Sequence, residues 1–186
     1  MKGLHECKEN KTCKILTIQD ICLIGIMVAV IEVCKVTFSF LPNIELTSFW
    51  LIMFTLFFGW KVVLVVPVFI LLEGFLYGVH IWWFMYLYVW PLLVLLTWMF
   101  RKQESIWFWT FFSAIFGLLF GFLCSFVYLV LGFADGGITA GLHGAFAWWI
   151  AGIPWDFVHG AGNFAFMLVL YHPVKNIMQK VKKDIN

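Results

Sequence analysis

Residues 62–100 read VVLVVPVFILLEGFLYGVHIWWFMYLYVWPLLVLLTWMF, an apolar run in which Glu73 and His80 are the only interruptions. A helix crosses the hydrocarbon core of a bilayer in about 20 residues. The run is too long for one crossing and suits two. Tyr77-Gly78-Val79-His80 supplies the break, because glycine ends a helix readily. The expected spans are 62–76 and 82–100, with Pro91 kinking the second.

The whole chain carries the same signature. Of 186 residues, 63% are hydrophobic, 20% aromatic and 12% charged. A soluble domain carries about 25% charged residues, so this chain has too few to cover itself in water. It reads as an all-α integral membrane protein with one membrane domain, residues 18–172. A cytoplasmic N-terminal segment, 1–17, and a basic cytoplasmic tail, 173–186, flank it.

Toward the N-terminus, the first expected span is 18–40, ended by the turn Leu41-Pro42-Asn43-Ile44-Glu45. It is too long for a signal-peptide core and is expected to remain as a span. A short second span, 46–58, closes at Gly59-Trp60-Lys61. Beyond residue 100, Arg101-Lys102-Gln103-Glu104 is a polar turn. Span five, 106–133, holds Gly117 and Gly121 one turn apart, a spacing that permits close helix contact. Asp135-Gly136-Gly137 ends it. Residues 138–150 read as a short interfacial segment, and span six as 153–171, with Pro154 in its first turn.

The placement of charge orients these spans. Lys2, Lys8, Lys11, Lys14, Lys61, Arg101, Lys102, Lys175, Lys180, Lys182 and Lys183 fall on one side of a six-span arrangement. The three opposite turns, near 41–45, 77–81 and 134–152, hold neither lysine nor arginine. Cytoplasmic loops are enriched in these residues. Both termini are therefore expected inside; four spans, with residues 46–76 re-entrant, is the alternative. The one remaining cation, Lys35, lies inside span one; nucleic-acid binding explains neither the clustering of the other cations at turns and chain ends nor the apolar bulk. The five cysteines form no CxxC pair and no zinc-spaced cluster. Cys7 and Cys13 are expected to be reduced, and neither a metal nor a cofactor is expected.

With that topology, the polar residues of the apolar regions gather toward the outer face. IPWDFVHGAGNF, residues 153–164, places Asp156, His159 and Asn163 on one face of a helix. Asn43 and Glu45 lie in the first outer turn, Glu73 near the outer end of span three, and His80 in the second outer turn. Tyr77, Trp82, Trp83, Tyr86, Trp148, Trp149 and Trp155 share this level. Ionisable groups at membrane depth cost about 3 kcal/mol each, and a polar cluster walled by aromatics is the expected form of a small-molecule site. Each part also has a structural reading. Tryptophans form interfacial belts, Asp156 suits a helix N-terminus, and His159 and Asn163 can bond between helices. Glu32 and Lys35 read as a structural pair within span one.

The segment GIPWDFVHGAGNF, the turn LPNIE followed by LTSFW, the length and the span count together resemble the substrate-binding S components of energy-coupling factor (ECF) vitamin transporters. The resemblance implies a membrane protein of the bacterial cell membrane that binds a vitamin or related ring-bearing micronutrient from outside. It implies a transmembrane coupling protein and two cytoplasmic ATPases as partners. The chain itself is then not an enzyme, in keeping with the lack of a GxxxxGK[ST] loop. By resemblance, Asn43, Glu45, Asp156, His159 and Asn163 are the polar substrate contacts, and Glu73 joins them from its place in the outer polar cluster. Trp83, Tyr86 and Trp149 are the stacking walls, and Gly25 and Ala29, one turn apart on span one, dock on the coupling protein. A stand-alone secondary transporter, or an intramembrane enzyme using Asp156 and His159, are the competing readings.

Overall fold

The structure is a computed structural model that describes residues 16–185. Cys7, Cys13 and the lysines before residue 15 lie outside the described residues. Within them every regular element is helical, and four stretches are long and apolar enough to cross a membrane: Ile18–Phe38, Thr47–Tyr77, Ile81–Met99 and Ile106–Lys183. The protein is membrane-embedded on that composition.

Helix α1, Ile18–Phe38, starts at a capping box. The Thr17 hydroxyl accepts from the Asp20 backbone N–H at 3.2 Å, and the Asp20 carboxylate accepts from the Thr17 N–H at 3.0 Å. Helix α2, Thr47–Phe58, is followed by a single 3-10 turn, Gly59–Lys61, and by α3, Val62–Tyr77. Gly59 takes φ 61°, which a side chain disfavours, and this lets the chain reverse there. Helix α4, Ile81–Met99, begins after Gly78 at φ 82°, so the expected break near residues 77–80 is present. Helix α5 is Ile106–Leu118 and α6 is Phe120–Ile185, the latter interrupted by non-helical Gly136 and Gly137.

Two clusters of residues define the chain direction. The ends of α1 and α3, the start of α4 and the turn before α2 meet at one end of the bundle, around Phe38, Glu45, Tyr77 and Trp82. The start of α1, the end of α2, the 59–61 turn, the turn after α4 and the end of α6 meet at the other, around Leu23, Phe58, Lys61, Arg101 and Lys182. Thr47–Tyr77 is therefore two antiparallel rods, not one. The longest stretch folds back on itself as well. Ser113 bonds to Asn163, a Cβ on Gly117 would meet Gly160, Gly121 bonds to Asp156, and a Cβ on Gly132 would meet Gly141. These pairs run in opposite directions about the Gly136–Gly137 break. The described residues thus form six rods that alternate in direction.

Helix α2 sits at the centre. It is about 18 Å long at 1.5 Å per residue, well short of a 30 Å core, yet from Thr47 to Thr55 only Trp50 escapes full burial. Thr55 satisfies its buried hydroxyl by donating to the Leu51 carbonyl at 2.6 Å. Indole and phenol groups pin the rods together. Trp50 donates to the Cys34 sulfur at 3.1 Å, Trp83 to the Ile70 carbonyl at 2.8 Å, and Tyr88 to the Leu123 carbonyl at 2.7 Å.

The sequence reading needs three corrections. Residues 138–150 are helical and continuous with the last rod, so they are not a separate interfacial segment. Pro154 consequently lies inside a helix, not in its first turn. The last rod does not stop at residue 171; it passes Pro173 and carries the basic tail to Ile185. Over 138–150 the close approach of the two rods, Gly132 against Gly141 and Tyr128 stacked on Trp148, outweighs the local signal of glycine.

Candidate functional site

A cavity of about 410 Å³ opens where α1, the 41–46 turn, α3 and α4 converge. Lys35 reaches into it from the last turn of α1, and Glu73 faces it from the last turn of α3, fully buried. The two form an ion pair, and the Lys35 ammonium also donates to the Tyr86 hydroxyl at 3.4 Å. Its Nζ stands 5.0 Å from the ring centre of Tyr86, 5.7 Å from Trp82, and 5.8 Å from both Phe69 and Tyr77. Four aromatic rings and a carboxylate thus surround one cation, an arrangement favoured by ring quadrupoles.

The turn supplies the opposite wall. Asn43 adopts φ 56°, a left-handed conformation that asparagine tolerates better than most residues. Its place in LPNIE is therefore partly a backbone requirement. Glu45 lines the cavity and accepts from the Thr47 hydroxyl at 3.1 Å. Glu73 Oε1 has no hydrogen-bond partner among the described residues, leaving an acceptor beside the cavity. Glu32, one helical turn before Lys35, is buried and has no hydrogen-bond partner for either carboxylate oxygen among the described residues.

The structure brings together Asn43, Glu45, Glu73 and Tyr86 of the sequence-expected contacts. It does not bring Asp156, His159 and Asn163 to the cavity wall. They lie on the face that packs against residues 106–135, all three buried. Asp156 accepts from the Gly121 N–H at 2.8 Å, where the helix breaks between α5 and α6 and frees that donor. Asn163 donates to the Ser113 carbonyl at 3.1 Å, and Ser113 returns a bond to the Asn163 carbonyl at 3.3 Å. The His159 ring packs 4.7 Å from the Phe120 ring. Asp156 is not in a first helical turn, because its rod begins after Gly137.

Two expected aromatic walls also lie elsewhere. Trp83 packs over Gly74 and closes an apolar groove between α3 and α4. Trp149 packs against Phe122 and Phe146. The sequence reading missed Lys35 and Phe38 as cavity residues, and it placed Tyr77 and Trp82 at the level of the site without naming them among the contacts. A signal exists for Lys35: it and Glu73 are opposite charges at matching depth on two neighbouring spans. Glu32, closer in sequence and on the same helix, masks that signal. Gly25 and Ala29 are exposed on α1, and a Cβ on Gly25 would meet nothing within 4 Å.

No protein-family model, curated protein or solved structure matches this chain.

Proposed function

We propose that this chain is a substrate-binding S component of an ECF-type importer, with six membrane spans and both termini in the cytoplasm of a bacterial cell. The cavity is the observation that carries this reading. It offers carboxylate acceptors at Glu45 and Glu73, donors at Lys35 and Tyr86, and ring faces at Tyr77 and Trp82. That mixture suits a ring-bearing micronutrient with several polar edges. The cavity opens at the end without described lysine or arginine in its turns, the end that the charge rule places outside. The exposed Gly25–Ala29 strip on α1 is free to take a partner helix. ATP hydrolysis then belongs to the partner ATPases, and substrate release follows association with the coupling protein.

A second reading rests on Glu32. A buried carboxylate close to the Lys35–Glu73 pair is the kind of group a proton-coupled carrier uses. Two experiments separate the readings. The tagged chain is purified from its native membranes in mild detergent, and everything retained is analysed by mass spectrometry. A coupling protein, two ATPases and a small heterocycle in the sample support the S-component reading. A chain that drives uptake alone in proteoliposomes, without ATP and with a proton gradient, overturns it in favour of the carrier.

A further inference from the structure

Outside the substrate cavity the molecule carries two features that transport of a micronutrient does not use. One is an apolar groove of about 760 Å³ on the outer surface between α3 and α4. Pro67 and Pro91 face each other across it, and Val63, Leu71, Leu87 and Leu95 form exposed walls. Trp83 roofs it at one end, while Gly59, Trp60 and Trp98 lie at the other. The second feature is a cavity of about 310 Å³ lined by Lys61, Arg101 and Lys182, three cations from three separate parts of the chain. Lys61 is already paired with Asp20. Arg101 and Lys182 have no ion pair among the described residues.

The two spaces meet. Gly59 lines both, and Trp98, which lines the groove, is covered at 4.5 Å by the guanidinium of Arg101, which lines the basic cavity. A groove with apolar walls cannot hold a hydrated solute, and a cavity lined by two exposed cations with no ion pair among the described residues can receive an anion. A molecule that satisfies both has a hydrocarbon chain joined to a phosphate at the membrane interface. Basic pockets between helix ends are recognised binding places for anionic headgroups, and exposed Trp60 and Trp98 suit the interfacial level.

We infer that this chain holds one anionic phospholipid, with an acyl chain lying in the α3–α4 groove and its phosphate between Arg101 and Lys182. The lipid covers the Gly59–Lys61 turn and fills the surface that the two prolines leave open. It is a binding site independent of the substrate cavity and of the transport reading.

Native mass spectrometry of the full purified chain tests this directly. Dioleoylphosphatidylglycerol and dioleoylphosphatidylcholine are titrated separately after delipidation. The expected result is one phosphatidylglycerol retained at activation energies that strip phosphatidylcholine. The double variant Arg101→Gln/Lys182→Gln should lower phosphatidylglycerol affinity about twenty-five-fold, at roughly a factor of five for each interfacial cation. Leu71→Trp, which fills the groove from an exposed position, should weaken retention while both cations remain. Tryptophan fluorescence and thermal melting confirm that each variant is folded. Equal retention of the two lipids, or retention unchanged in the double variant, overturns the inference. If millimolar inorganic phosphate displaces the lipid and Leu71→Trp has no effect, the basic cavity is a free-phosphate site and the lipid assignment fails.

Discussion

Lys35 and Glu73 show how two neighbouring charges can be tolerated at membrane depth. Each neutralises the other, and the rings of Tyr86, Trp82, Tyr77 and Phe69 replace part of the ammonium's hydration. Removing one partner of such a pair leaves an uncompensated charge and costs about 3–5 kcal/mol. Glu73→Ala should therefore lower the melting temperature of the detergent-solubilised protein, while Lys35→Met/Glu73→Leu together should recover most of the loss. A loss in the double variant equal to the sum of the losses in the Lys35→Met and Glu73→Leu single variants would show that the pair has no coupling. Asp156 calls for a different outcome. Its carboxylate serves a backbone donor at the α5–α6 break, so Asp156→Ala should cost about 1–3 kcal/mol of stability. Binding of the co-purified small molecule by the folded fraction should change far less. A tenfold affinity loss at unchanged stability would return Asp156 to the substrate site.

At the scale of helices, the rods of residues 106–135 and 138–185 are held together by small residues in antiparallel register. A Cβ on Gly117 would stand 2.8 Å from the Gly160 Cα, and one on Gly132 at the same distance from the Gly141 Cα. Because both obstacles are backbone, the rods must separate to admit a methyl group. Gly117→Ala should cost about 1–3 kcal/mol, measured as loss of thermal stability. Gly25→Ala meets no atom and gains helix propensity, so it should be neutral or stabilising by up to about 1 kcal/mol. Gly25→Trp with Ala29→Trp should leave small-molecule binding intact and stop uptake in cells. Uptake that persists would remove this strip as the docking face. The GxxxG spacing of Gly117 and Gly121 is legible in the amino-acid sequence as a close-contact signal. Its partner is not, because Asp156, Gly160 and Asn163 carry equally good signals for a ligand site.

For the molecule as a whole, the cavity and the basic pocket occupy opposite ends of six alternating rods. The proposed orientation puts the cavity outside. A cysteine introduced at Val79 or Thr139, both exposed, should react with an impermeant maleimide in intact cells, on a background with the native cysteines replaced. A cysteine at Lys102 should react only after permeabilisation. The reverse pattern would place both termini outside and turn the cavity toward the cytoplasm.

Composition and run length by themselves determined a great deal: a membrane-embedded, helical chain, a break near Tyr77–His80, a second at Gly136–Gly137, and a segregation of cations toward one end. These are local or additive properties, and a sequence states them directly. Which polar residues share a space is a property of rotation and register between rods, with one helical residue amounting to about 100° of rotation. That rotation turned Lys35 onto Glu73 instead of Glu32. It turned Asp156, His159 and Asn163 onto the neighbouring rod instead of the cavity. It also joined the α3–α4 groove to the basic pocket through residues that lie far apart in the chain. Only the tertiary structure decided these pairings, because each depends on side chains whose partners lie on other helices.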